Sequence, residues 1–192
     1  DLNYIHYTDK DGLPSNEVYG MDIDNEGYIW TITDKGISKF DGNKFTNYTS
    51  LNGLNDNVIF NTTHDYLGRI WLTTYNLKLN YILNGKIFNY KYNSLLQKQI
   101  PENYLGLTIG VGKNEKMFFT IDKDISIDKN GSIKHYDKLI IGNENIISIK
   151  NGKLQNEGNA DFPLAKIVNE PWFYSPGRIV LYSKNGNYFF TR

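Results

Sequence analysis

The sequence predicts an all-β chain made of repeated four-stranded antiparallel sheets. Three observations carry this prediction. A set of turn and aromatic residues recurs at a spacing of 41 residues. Between turn signals, apolar and polar residues alternate with period two, as in a strand with one buried face. Aromatic residues make up 15% of the chain, with 15 Tyr and 10 Phe, a composition that suits a pleated, half-buried surface.

In the first copy Tyr19, Met21 and Ile23 alternate with Gly20, Asp22 and Asp24, as in a half-buried strand. Asp24-Asn25-Glu26-Gly27 turns the chain, and Asp24 is expected to accept backbone N–H bonds there. A second strand spans Tyr28–Thr33, Asp34-Lys35-Gly36 turns, and a third spans Ile37–Phe40. Asp41-Gly42-Asn43 turns again before a fourth strand, Lys44–Thr49. Gly12, Leu13, Asn16, Asp24, Gly27, Ile29, Trp30 and Thr33 recur 41 residues later as Gly53, Leu54, Asn57, Asp65, Gly68, Ile70, Trp71 and Thr74. Tyr4, Tyr7 and Thr8 recur as Phe45, Tyr48 and Thr49. Phe40 aligns with Tyr81, and one inserted residue after them shifts the spacing to 42, so that Tyr48 meets Tyr90. Four short strands in roughly 40 residues is the pattern of a β-propeller blade.

Repeats are clear over 4–49 and 45–91, a degenerate blade covers about 105–137, and a blurred one covers 138–192. In the third, Phe118 or Phe119 stands at the Trp position, and Gly177–Leu181 echoes Gly68–Leu72. One short helix is predicted at Ser94–Ile100, capped by Asn93 or Ser94 and stopped by Pro101. The whole chain, 1–192, therefore reads as a propeller fragment of about four blades. Rings have ~4–8 blades, and Tyr4–Thr8 resembles the last strand of a blade whose other strands are missing. An open arc with exposed faces or edges follows, inclined to self-associate.

Lys plus Arg and Asp plus Glu both number 21, without the basic excess that phosphate binding needs, so nucleic acid is not an expected partner. No stretch is apolar enough to span a bilayer or basic and amphipathic enough to lie on one. There is no Cys, so disulfides and thiolate-bound metals are excluded. His6, His64 and His135 stand at no metal-binding spacing, and neither Asp24-Asn25-Glu26 nor Asp122-Lys123-Asp124 has the reach of a calcium loop. No cofactor or metal is expected. Neither a nucleophile–base pair nor an acid–base pair is legible.

The two copies resemble the repeat of two-component regulator propellers, with its Gly-Leu-x-x-Asn lead, Asp-x-x-Gly-x-Ile-Trp centre and Gly-Leu-x-x-Phe-Asp hairpin. Gly12, Leu13, Asn16, Asp24, Gly27, Ile29, Trp30, Gly36, Ile37, Phe40 and Asp41 meet it here. The second copy keeps the first two parts and departs from the third, reading Asn76-Leu77-Lys78-Leu79-Asn80-Tyr81. The resemblance covers 1–91, and it implies a periplasmic or extracytoplasmic ligand-sensing segment of a membrane-anchored histidine kinase or hybrid receptor. It further implies that the remaining blades of the parent protein are partners, and that the ligand is a carbohydrate or another small molecule. Alternatives are a propeller enzyme, such as a lyase or hydrolase, and an architectural protein-docking module.

Trp30 and Trp71 keep the repeat frame, so both are expected to pack between blades, whereas Trp172 breaks it. A ligand would meet the loops that enter the first strand and join the second to the third. Asn16 and Asn57 persist between copies and are assigned to structure. The candidate contacts are Glu17, Asp34, Lys35, Tyr75 and Asn76, where the copies differ.

Overall fold

The structure is a computed structural model that describes residues 5–24, 26–65, 67–101, 104, 107–112, 115–141, 146–150, 153–157, 180–184 and 187–191. Trp172, the Gly177–Ile179 part of the echo and Tyr4 lie outside the described residues. The chain divides into two units, Asp1–Ile100 and Pro101–Arg192.

The first unit holds two four-stranded antiparallel meanders. Sheet 1 contains β1 (Val18–Ile23), β2 (Ile29–Thr33), β3 (Gly36–Phe40) and β4 (Phe45–Tyr48). Sheet 2 contains β5 (Ile59–His64), β6 (Ile70–Thr74), β7 (Leu79–Leu83) and β8 (Lys86–Asn89). In the second unit β9 (Thr108–Val111), β10 (Met117–Thr120), β11 (Ile125–Ile127) and β12 (Ile133–His135) form sheet 3. Sheet 4 has, among the described residues, three strands, β13 (Lys138–Ile141), β14 (Ile146–Lys150) and β15 (Lys153–Asn156). A separate hairpin pairs β16 (Val180–Lys184) with β17 (Asn187–Thr191). Among the described residues every ladder joins strands consecutive in the chain.

The expected helix is shorter and starts differently. It spans Asn93–Gln97, and the side chain of Tyr92 at the N-cap makes no capping bond. Asn93 does not cap because its amide is spent on β7: its Oδ1 accepts from Leu79 N at 2.7 Å and its Nδ2 donates to Leu79 O at 2.9 Å.

The register moves the inserted residue. Trp30 pairs with Lys39, and Trp71 pairs with Tyr81, so Lys39 and not Phe40 is the counterpart of Tyr81. The extra residue therefore sits before β7, in the Tyr75-Asn76-Leu77 loop that replaces Asp34-Lys35. Leu77 adopts φ 59° there. The hairpin sequence of the first copy is absent from the second, yet its strands remain, joined by the left-handed pair Asn84-Gly85 at φ 49° and 71°.

Sheet 1 packs on sheet 2 through Trp30, Ile32, Ile37 and Tyr48 on one side and Leu54, Ile59, Ile70, Leu72 and Ile82 on the other. Trp30 is thus an inter-sheet residue, as expected. Trp71 is equally buried, and its described ring contacts are Tyr81 and Tyr90 of its own chain segment, at 4.8 and 5.7 Å. Sheet 3 packs on sheet 4 through Phe118, Tyr136, Leu139 and Ile146. By register Phe118 occupies the Trp position and Tyr136 that of Tyr48, which decides between Phe118 and Phe119.

One expected buried face is open. Met21 and Ile23 alternate as the sequence indicates, but they are 72% and 64% exposed, and Tyr19, displaced from the expected alternation by a bulge, is 54% exposed. Alternation fixes which side chains share a face; it does not supply the layer that covers it.

Candidate functional site

The first two sheets repeat a rigid frame. A 3₁₀ turn at Asp9–Asp11 is capped by Thr8, and one at Ser50–Asn52 is capped by Thr49. Asn16 Oδ1 accepts from Asp9 N at 2.8 Å, and Asn57 Oδ1 accepts from Ser50 N at 2.6 Å. Both Asn side chains therefore hold the loop that enters the first strand. At the far end of that strand Asp24 accepts from Glu26 N, Tyr28 N and Trp30 Nε1, and Asp65 accepts from Leu67 N, Arg69 N and Trp71 Nε1.

The cations around these carboxylates exchange places. In sheet 1 Lys39 Nζ lies 3.5 Å from the Tyr28 ring centroid and 3.8 Å from Asp24. In sheet 2 Arg69 takes the Tyr28 position and Tyr81 the Lys39 position, with the guanidinium 5.4 Å from the Tyr81 centroid and bonded to Asp65. The pair is inverted, and its chemistry is kept.

The variable residues lie at the opposite end of β1 and β5. Each strand carries a bulge, between Val18 and Gly20 and between Ile59 and Asn61. The extra residues are Tyr19 and Phe60, 41 positions apart, exposed by 54% and 45%. A bulge re-aims a side chain out of the alternating pattern. Tyr19 OH reaches Glu17 Oε2 at 3.5 Å. Partial desolvation, followed by the charges of Glu17 and Asp34, holds the Tyr19 hydroxyl pKa above the ordinary tyrosine value. Glu17, Tyr19 and Asp34 thus form one acidic, aromatic group. Phe60 meets Tyr75 edge-on at 5.8 Å, and Tyr75 is 61% exposed.

The candidate contacts divide by role. Glu17, Lys35 and Tyr75 face solvent. Asp34 is half-buried, and its Oδ1 has no hydrogen-bond partner among the described residues. Asn76 is committed to structure: its Oδ1 accepts from Thr74 Oγ1 and Lys78 N, and its Nδ2 donates to Asn55 O in the loop that enters β5. Tyr19 and Phe60 are absent from the sequence expectation. Neither strand marks them by itself, because a bulge shows only in the pairing of β1 with β2 and of β5 with β6.

A groove of about 510 Å³ lies between β4 and β8, lined by Asn47, Tyr48, Asn52 and Lys86 among others. Among the described residues Lys86 and Tyr48 are its only ionisable groups. Among the described residues no group of three or more His, Asp or Glu side chains could hold a metal ion. No described helix is long and apolar enough to cross a membrane.

Between sheets 1 and 2, His64 Nδ1 lies 3.4 Å from Asp22 Oδ2, which also accepts from Thr62 Oγ1 at 3.0 Å. His64 is only half satisfied, because its Nε2 is buried without a partner among the described residues. In the second unit Asp124 serves structure too: it accepts from Ile121 N at 3.0 Å and from Leu139 N at 2.6 Å.

Among solved structures, the chain superposes with a TM-score of 0.61 on the extracellular domain ascribed to the hybrid two component system BT3049 of B. thetaiotaomicron. Identity is 18% over 97% of this chain. The sheets are propeller blades. The chain spans 29% of the length of that domain, so its sheets match only part of it. A second superposition, on the extracellular domain ascribed to the hybrid two component system BT4673 of the same organism, has a TM-score of 0.45 at 12% identity and covers 88% of this chain and 32% of that one. No family model matches the sequence, and no curated protein matches it.

Proposed function

We propose that the chain is a ligand-recognising, non-catalytic segment of the extracytoplasmic propeller of a two-component receptor, a histidine kinase or hybrid. The observation that carries this reading is the division of labour within each blade. Repeat-invariant residues are spent on the frame, while Glu17, Tyr19, Asp34, Lys35, Phe60 and Tyr75 are left at one loop end, with the three rings exposed and the Glu17 carboxylate facing solvent. The likeness of fold to an extracellular domain supports the setting. Flat rings beside carboxylate acceptors suit a ligand with an apolar face and hydroxyl donors, the chemistry of a carbohydrate.

Calorimetric titration of the chain with a panel of neutral oligosaccharides tests the proposal. Binding is expected without turnover, and Tyr75→Ala or Tyr19→Ala should lower the affinity at least ~10-fold while changing stability by less than about 1 kcal/mol. Turnover of a sugar by the chain, or affinity unchanged in both variants, would sink it.

A further inference from the structure

The open face of the first blade is a receiving surface. In the second blade the equivalent face is His64, Ile70 and Ile82, with Thr62 and Leu72 beside them, and it is covered by the first blade's Asp22, Trp30, Ile32 and Tyr48. In the fourth sheet it is Leu139, Ile141 and Ile146, covered by the third blade's Phe118 and Tyr136. Register gives the correspondence. The pair closing the first hairpin is Ile23–Ile29, His64–Ile70 and Ile141–Ile146 in the three cases.

The donor face matches its receiver at one position. Opposite Thr62 and His64 stands Asp22, paired with Trp30. Opposite Ile141 and Ile146 stands Gly110, paired with Phe118. A Cβ at Gly110 would lie 2.8 Å from Ile141 Cγ2 and 3.1 Å from Ile146 Cδ1, so the apolar receiver closes directly on backbone. A polar receiver thus meets a carboxylate, and an apolar receiver meets a glycine. The first blade's receiver, Met21, Ile23 and Ile29, is of the apolar kind, matching Leu139, Ile141 and Ile146.

Residues 5–8 already occupy part of that surface. Thr8 caps its 3₁₀ turn as Thr49 does, which makes Tyr7 the counterpart of Tyr48. The Tyr7 ring sits 4.9 Å from Phe40 and 5.5 Å from Phe45, the positions that Ile82 and Ile87 hold beside Tyr48. In the first blade Tyr48 stacks on Trp30 at 5.6 Å. Tyr7 has no such described partner beyond Phe40 and Phe45.

We infer that this face takes three further strands of the same repeat from the same receptor, with residues 5–8 as their fourth, and that the incoming blade resembles the third. It presents glycine or another small uncharged residue where the first blade has Asp22, and a large aromatic ring that packs on Tyr7. A copy of the first blade is rejected, because its Asp22 would lose Thr62 and His64 and face Met21 and Ile23 instead. The inference rests on the receptor setting proposed above only for the source of the strands; the matching of faces stands on geometry.

The chain has no Cys, so Met21→Cys gives a single reporter thiol. Its labelling rate is compared in the chain alone and in chains extended at the N-terminus by strands copied from residues 107–128. The glycine-bearing extension should slow labelling at least about tenfold, and the same extension carrying Gly110→Asp should restore it to within about twofold of the unextended rate. A second extension, copied from residues 13–41 with Asp22 retained, should also leave the reporter thiol reactive. Equal labelling with every extension overturns the inference, as does equal protection by the glycine and aspartate forms. Protection of the unextended chain that rises with protein concentration would seat a second copy on the face and overturn it too. None of these outcomes depends on a sugar being bound, so failure here and failure of the ligand-recognition reading are separate results.

Discussion

Trp30 donates its indole N–H to the carboxylate of Asp24 at 2.8 Å, clamping the strand to the turn that precedes it. Trp71 and Asp65 repeat the bond at the same length. The other carboxylate oxygen takes two backbone N–H groups in each case, so Asp24 satisfies three donors and Asp65, with Arg69 Nε, four. Removing Asp65 from the second blade also takes away the carboxylate to which the Nε of Arg69, 8% exposed, donates. Asp65→Ala should therefore cost about 3–5 kcal/mol, the usual penalty for breaking a buried charged pair, and Asp24→Ala about 1–3 kcal/mol. Urea unfolding of the two variants checks the order.

Burial opposes ionisation of Asp24, but the bonds from Trp30, Tyr28 and Glu26, with the charge of Lys39, outweigh it and hold its pKa below the ordinary value of 3.8. A depressed carboxylate stabilises the fold above its unfolded pKa and loses that contribution as pH falls through the folded one. Asp24→Asn should thus flatten the acid limb of stability below about pH 4. Melting curves between neutral and acid pH measure it.

Asp124 has the opposite sign. Burial raises its pKa, against the bonds from Leu139 and Ile121 and the charge of Lys138. Its contribution is present below the unfolded pKa and is lost as pH rises through the folded one, so it partly offsets the acid limb. Asp124→Asn should steepen that limb, while costing about 1–3 kcal/mol at neutral pH because one of the two buried N–H donors loses its acceptor. The same melting series reads both effects.

The aromatic positions should carry the core. Trp30→Ala and Trp71→Ala are each expected to cost about 3–5 kcal/mol. In the third blade glycine replaces Asp24, because Phe118 lies over the backbone: a Cβ at Gly112 would come 2.7 Å from its Cε2. Gly112→Ala should cost about 1–3 kcal/mol through overpacking. Gly27→Ala meets nothing within 4 Å but sits at φ 87°, so its cost of about 1 kcal/mol is purely conformational. Thermal melts separate the two, since Phe118→Leu should relieve only the first.

Glu157 ties sheet 3 to sheet 4, accepting from Lys116 and Lys134 at 3.1 and 2.9 Å, from Ser148 at 3.0 Å and from Tyr136 at 3.3 Å. Glu157→Gln should lower the hydrogen-exchange protection of β14 by at least ~5-fold, because two Lys charges lose their common partner. Exchange at Leu139 in β13 serves as the internal comparison.

Two blades are legible in the sequence because their turn residues are forced: Asp24, Gly27, Asp65 and Gly68 each satisfy a backbone need that few side chains meet. The insertion is misplaced by sequence alone because Phe40 and Tyr81 are both aromatic, and type makes them partners. Only the ladder shows that Tyr81 stands opposite Trp71. The Gly112 counterpart of Asp24 carries no side-chain signal, so the third blade reads by strand pattern alone. At the candidate site Tyr75 and Asp34 stand out as unlike residues at like positions. Tyr19 and Phe60 do not, because a bulge is a feature of pairing and is written in neither strand by itself.

The strictly sequential ladders have a consequence for how the chain reaches its structure. Each sheet closes through hairpins whose partners are a few residues apart, so little loop entropy is lost before pairing is rewarded. A blade can nucleate by itself and then template its neighbour through one face, as in a linear array with nearest-neighbour coupling. Folding of this all-β chain should therefore run faster than that of a sandwich of equal length, whose strands must find partners across the whole sequence.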